Sequence, residues 1–234
     1  MRLSKGELDR LKVVARRLEA LHSKIVFLGG AVVGLLVTDP AGAEVRPTKD
    51  VDVVVEVATY FEYTEIEARL RDLGFLHDQE EGAPICRWLV DGIKVDVMAP
   101  DPSVIGFSNP WYPEAIRASM PFALEPGLHI HLITAPYFIA TKLAAFASRG
   151  HGDYLRSPDI EDVVIVLDGR PDLAGEIEIG PAELRQFLSL EGRALLETRA
   201  FCEALAGHLD PDEASQAREG LILRRLQQIA DLNR

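Results

Sequence analysis

The chain has little cysteine: Cys86 and Cys202 are the only two in 234 residues, and they stand far apart with no motif spacing. That excludes a disulfide framework and fits a reducing compartment. No run of about 18 apolar residues occurs, so no membrane-spanning helix is expected. Residues 1–20 are charged and helical in pattern rather than signal-like. A soluble, cytoplasmic protein is the expectation. Internal repeats and low-complexity tracts are also missing. Positive charge is short overall, with 25 Lys and Arg against 37 Asp and Glu and a net charge of -12. Broad, nonspecific binding to nucleic acid is therefore disfavoured.

The charge is unevenly spread. Residues 1–49 hold nine Lys/Arg against five Asp/Glu, or +4, which leaves -16 for residues 50–234. The N-terminal helical pattern concentrates Arg2, Lys5, Arg10, Lys12, Arg16 and Arg17. A solvated amphipathic face is one reading; a local footing for tRNA or for an acidic protein partner is the other.

Hydrophobic residues make up 47 % of the chain, enough for one domain with a helical appendage or for two small domains. The most informative stretch is Phe27 to Val55. An apolar run from Ile25 to Leu28 ends in Gly29-Gly30, a helix-like segment over 30–37 follows, and a polar loop leads into Asp50-Val51-Asp52-Val53-Val54-Val55. A glycine turn between strand and helix lets backbone N–H groups approach an anion, or merely permits tight packing. Strand alternation puts Asp50 and Asp52 on one face, with Val51, Val53 and Val55 on the other. Adjacent carboxylates repel unless solvated or neutralised by a cation. Their β-branched neighbours read as a largely buried strand, so a Mg²⁺ site is favoured over a charged strand edge. Asp96 repeats the phase in Ile93-Lys94-Val95-Asp96-Val97-Met98, and the three acids converge if the two strands are neighbours. Two metal ions could then serve an in-line displacement.

Gly29-Gly30, then Arg46-Pro47-Thr48-Lys49-Asp50-Val51-Asp52, then Asp96 resembles the DNA polymerase beta-like nucleotidyltransferase superfamily. Within it the chain looks most like the nucleotidyltransferase toxins of abortive-infection and type IV toxin–antitoxin systems, where an Arg-x-Thr/Ser-x-Asp-x-Asp run is typical. The resemblance spans roughly Ile25 to Asp168. It implies an NTP substrate, two Mg²⁺ ions, and catalytic, metal-binding roles for Asp50, Asp52 and Asp96. Gly29, Gly30, Arg46, Thr48 and Lys49 would serve the nucleotide. A later helical lysine and a further Asp of the pattern match Lys142 and Asp162. Lys142, in an apolar helix starting near Pro136, would act as a point charge on phosphate; the alternative is a lysine facing water. Ser157 suits an N-cap, Pro158 the first helical position, and Asp159 and Glu161 the positive end of the helix dipole. Asp162 could pair with Lys142 or Arg149. One departure is the spacing: nineteen residues separate Gly30 from Asp50, with Asp39-Pro40-Ala41-Gly42-Ala43 reading as an inserted turn. His129 and His131 share a strand face without a third soft ligand nearby, and read as a solvated face rather than a zinc site.

The expected layout is an α/β (α+β) fold: a nucleotidyltransferase-like mixed sheet flanked by helices, with a C-terminal helical half. A catalytic domain would cover residues 1–134 and a mostly helical domain closing its cleft residues 135–234. A capped helix starts at Ser4; strands are expected at 25–28, 50–56, 85–89, 93–98 and 128–133, and a helix at 62–73. Asp91-Gly92 signals a hairpin turn. Residues 101–127 read as Pro-rich and irregular, and Gly169 to Pro181 as a linker. Two closing helices follow, one from Pro181 to about Leu205 and one starting at Asp210-Pro211-Asp212-Glu213. The function implied is transfer of a nucleoside monophosphate from an NTP to an acceptor hydroxyl of an RNA 3′ end, a protein or a small molecule, in a toxin with a cognate antitoxin and no membrane partner. The alternative is a non-catalytic nucleotide- or partner-binding protein that keeps the fold.

Overall fold

The computed structural model describes residues 3–42 and 45–233. In chain order the elements are α1 (Lys5–Arg17), β1 (Ile25–Leu28), a 3-10 turn (Gly30–Val32), α2 (Val33–Leu36), β2 (Asp50–Val55), α3 (Tyr60–Asp72), β3 (Leu76–His77), β4 (Arg87–Val90), β5 (Ile93–Met98), α4 (Pro102–Ile105), α5 (Tyr112–Arg117), β6 (Met120–Glu125) and β7 (Leu128–Leu132). The chain is then helical: α6 (Ala135–Arg149), α7 (Pro158–Gly169), α8 (Leu173–Glu178), α9 (Ala182–Glu197), α10 (Arg199–Ala204), α11 (Glu213–Gln216) and α12 (Glu219–Asp231). These elements form two compact units. The sheet unit holds residues 3–32 and 47–134; the helical unit holds 33–46 together with the chain from Ala135 on.

The sheet unit is a seven-stranded mixed sheet in the order β3-β4-β5-β2-β1-β7-β6. β2 runs parallel to β5 and antiparallel to β1, and β1 runs parallel to β7. On one face Val51, Val53, Val55, Val95 and Val97 are fully buried, with Trp88 beside them. α1 packs on β2, β5 and β7, and the Tyr63 hydroxyl of α3 donates to the Val97 carbonyl at 2.9 Å. Each buried valine of this kind contributes on the order of 1.5–3 kcal/mol, so the β2–β5 pair is among the firmest places in the sheet. The Ser4–Glu7 capping box that starts α1 is formed.

Three segments depart from the sequence reading. Residues 101–127, expected to be irregular, contain α4, α5 and a strand, β6, paired with β7. Pro121 argues against a central strand because it cannot donate a ladder hydrogen bond. β6 is an edge strand, where that donor is dispensable. Residues 169–181, expected to be a linker, contain α8 with Leu173 and Ile177 buried. The helix expected from Pro181 to about Leu205 breaks at Thr198 into α9 and α10.

In the helical unit α7 is buried on nearly every side, including Ile160 and Val163 to Leu167. Such an all-round apolar helix is the centre of its core; α6, α12 and α2 pack against it. The Asp39-to-Gly42 turn belongs here. The Thr38 and Asp39 N–H groups donate to the Gly169 carbonyl, at 2.8 and 2.9 Å, and Arg218 bridges Asp39 and Asp168. Ala43, the last residue of the expected turn, lies outside the described residues. Among the described residues no helix is long and apolar enough to cross a membrane.

Candidate active site

β2 and β5 are hydrogen-bonded parallel neighbours with Asp52 opposite Asp96 and Asp50 opposite Lys94. Register partners in a sheet share a face, so Asp50, Asp52 and Asp96 lie on one side, opposite the valines. The strand phases read from sequence therefore combine as expected. Asp50 begins its strand with its side chain 37 % exposed, whereas Asp96 is 12 % exposed.

The glycine turn meets this face. Gly29 follows β1 with φ +72°, and an ideal Cβ there would lie 1.9 Å from Asp52 Oδ2. Only a residue without a side chain allows that carboxylate to sit over the turn, and only glycine takes this φ without strain. Gly30 opens the 3-10 turn that continues into the single α-turn of α2. This segment is shorter and tighter than the helix expected over 30–37, so its dipole is correspondingly small.

A residue that the sequence reading passed over dominates the electrostatics. Arg87 on β4 stands directly across from Asp96. Its Nε donates to Asp96 Oδ1 and its Nη2 to Asp96 Oδ2, both at 2.7 Å, and Nη2 also donates to Asp50 Oδ2 at 3.2 Å. The hydrogen bond to Asp96 pushes the guanidinium further above its already high pKa, and the nearby charge of Asp50 adds to it. Next to it the Cys86 thiol is pushed up to about 12, by burial first and then by the charges of Asp96 and Asp52. The signal for Arg87 was in the sequence. A two-residue turn at Asp91-Gly92 pairs Val90 with Ile93, and counting outward reaches Arg87 opposite Asp96.

Three carboxylates offer the hard oxygen donors that Mg²⁺ takes, so the residue types and their common face fit the cation. Among the described residues, however, no group of three His, Cys, Asp or Glu side chains is gathered tightly enough to hold a metal ion as it stands. Arg87 lies between Asp50 and Asp96, and Asp52 leans over Gly29.

The remaining residues of the sequence pattern fall in different places. Thr48 is buried, and its carbonyl accepts from Arg10 Nη2 at 2.7 Å; Lys49 is exposed. Arg46, Lys142 and Asp162 come together in the helical unit. Lys142 Nζ lies 2.7 Å from Asp162 Oδ2 and 3.2 Å from Asp159 Oδ1. Arg149 bonds Asp159 through Nε and Nη2. Arg46 reaches Glu161 and Asp162, with Nε and Asp162 Oδ1 3.3 Å apart but not aligned as a hydrogen bond. Lys142 is thus a buried, ion-paired residue rather than a lysine facing water. Asp159 does more than complement a helix dipole. Burial pushes its carboxyl up, but the Arg149 hydrogen bonds and the Lys142 charge outweigh this and hold it below the ordinary value. Glu161 is pushed up by burial.

The basic face of α1 is engaged within its own unit. Lys12 and Arg16 pair with Glu125, Arg17 with Asp91, and Arg10 with the Thr48 carbonyl.

No protein-family model matches the chain, and no curated protein sequence does. Among solved structures it is similar to an antigenic nucleotidyltransferase-like protein from Paracoccidioides brasiliensis, with 21 % identity and a TM-score of 0.51, over 87 % of this chain and 94 % of that one. The fold is nucleotidyltransferase-like, as the sequence pattern implied.

Proposed function

We propose that this protein transfers a nucleoside monophosphate from an NTP to an acceptor hydroxyl and releases pyrophosphate. The observation that supports this most is the meeting of Gly29 with the aspartate face: a turn that must be glycine lies against Asp52, which neighbours Asp96 across parallel strands. Mg²⁺ bound by Asp50, Asp52 and Asp96 would neutralise phosphate charge and align the reacting groups for in-line displacement. The chain's own residues do the rest. Backbone N–H groups at Gly29-Gly30 face the phosphates. Asp96 orients the acceptor hydroxyl and takes its proton as the new oxygen–phosphorus bond forms and the bond to pyrophosphate breaks. Thr48 and Lys49 carry the chain into β2, while Arg46, Lys142 and Asp162 form an ion-paired cluster within the helical unit.

The deciding experiment is incubation of the purified protein with each labelled NTP and Mg²⁺, with and without total tRNA. Label on RNA would identify an RNA 3′ end as acceptor, and label on the protein a side-chain hydroxyl. The toxin reading adds a second measurement: expression in a bacterial host should arrest growth, and Asp52→Asn should relieve the arrest. A second reading is favoured by one observation, the Arg87 guanidinium bonded to Asp96 and Asp50. It makes the protein a non-catalytic member of the fold. No transfer with any NTP, together with NTP binding that ignores Mg²⁺, would establish it.

A further inference from the structure

The Arg87 fork spans both oxygens of Asp96 and reaches Asp50 with one of the same nitrogens. A guanidinium carries a permanent charge in a rigid plane that matches carboxylates bidentately. It therefore fills the place, and part of the charge, of a divalent cation shared by those two acids. Both cannot be there together. Mg²⁺ binds carboxylate oxygens at about 2.1 Å, and here those oxygens are hydrogen-bonded to a second positive group.

We propose that Arg87 is a resident counter-ion which a divalent cation must displace from Asp50 and Asp96; this rests on reading those acids with Asp52 as a cation site. The pairing holds two like charges, Asp50 and Asp96, together on one sheet face when no cation is bound, and it makes cation binding by the nucleotide-free protein weak. Displacement is open to the side chain because it is 19 % exposed and leaves from a part-open face. Its Cα stays fixed opposite Asp96 by the β4–β5 ladder. The released fork therefore remains within a side chain's length of the acids, where it can take up phosphate oxygens arriving with the cation. Exchange of carboxylate for phosphate at Arg87 would make the cation and the nucleotide bind better together than apart.

The test is titration of the nucleotide-free protein with Mn²⁺, followed by the electron paramagnetic resonance signal of the free ion. Arg87→Met should bind Mn²⁺ about tenfold more tightly than wild type, since charge-assisted hydrogen bonds no longer have to be broken. Adding Asp52→Asn to that variant should remove the gain. Equal affinity of wild type and Arg87→Met, with Asp52→Asn weakening both, would overturn the counter-ion role while leaving the cation site standing. No Mn²⁺ binding by either protein, and no effect of Asp52→Asn, would overturn the cation site and this inference with it. Should Arg87→Met not fold, Arg87→Lys decides. It keeps the charge but loses the fork, so a few-fold tightening is expected and an unchanged affinity overturns the proposal.

Discussion

On the sheet, Asp50 and Asp96 share one guanidinium at a partly open face, with Asp52 in register beside Asp96. Along α7, Asp159, Asp162 and Asp168 are at most 4 % exposed, and each meets a cation from another element: Lys142 and Arg149, Lys142 and Arg46, and Arg218. The same side chains serve opposite ends. Burying a carboxylate costs several kcal/mol unless it is paired, so the α7 acids come with partners and leave no net charge to offer. On the sheet one guanidinium is shared by two acids, and Asp50 keeps its side chain 37 % exposed. A balanced, buried cluster holds helices in register, whereas the more open sheet acids are the ones to which the proposed function gives a cation.

That contrast can be broken by substitution. The largest effect is expected from Asp52→Asn, which should reduce transfer about a thousandfold or more while leaving the thermal midpoint nearly unchanged, because it removes charge and not packing. A matching loss of stability would show the sheet acids to be structural too. Gly29→Ala should damage both properties. The new Cβ would displace the Asp52 carboxylate and the positive φ adds on the order of 1–2 kcal/mol of strain; denaturant melts and NTP transfer measured on one preparation check it.

Lys142→Ala should cost about 3 kcal/mol in chemical denaturation, near the low end for a broken buried pair because Arg46 and Arg149 stay with the two acids. If that variant folds and binds NTP as wild type does, the nucleotide role that the sequence pattern implied for Lys142 fails; salt-sensitive loss of NTP binding would support that role. A smaller effect is expected in acid. The Asp159 carboxyl is held below its ordinary value, so its share of stability is present above the unfolded-state pKa of about 3.9 and disappears as pH falls through the folded value. Asp159→Asn should flatten that part of the stability–pH curve. The smallest belongs to the surface pair of Arg17 with Asp91, nearly half exposed on both sides. Arg17→Ala should change stability by no more than about 0.5 kcal/mol.

How much of this was legible in the sequence depends on the distance over which each signal acts. The face shared by Asp50, Asp52 and Asp96 could be read because a strand's period of two fixes side-chain direction locally, and the flanking valines give the buried side. Gly29 was legible as a turn, but its reason was not: the carboxylate it clears comes from a strand paired with its own only in the fold. β6 was hidden because Pro121 carries a local veto that the sheet edge cancels. The α7 acids were half read. Ser157, Pro158 and the acidic first turn announced a helix start, whereas burial of Asp159 and Asp162 depends on α6 and on Arg46, more than a hundred residues earlier in the chain.

The Asp91-Gly92 turn, with φ of 50° and 77° at its two residues, is the part of the sheet unit whose effect reaches furthest from where it sits. Both residues take the left-handed conformation that a two-residue hairpin demands, and this short hinge counts out the ladder. Pairing proceeds from Val90 with Ile93 to Arg87 with Asp96. One residue more or less in the hinge would turn Arg87 toward the valine side and set Trp88 or Cys86 against Asp96, because a single step flips a strand. The turn therefore acts as a spelling rule: from the far end of the ladder it decides which letter the third aspartate reads.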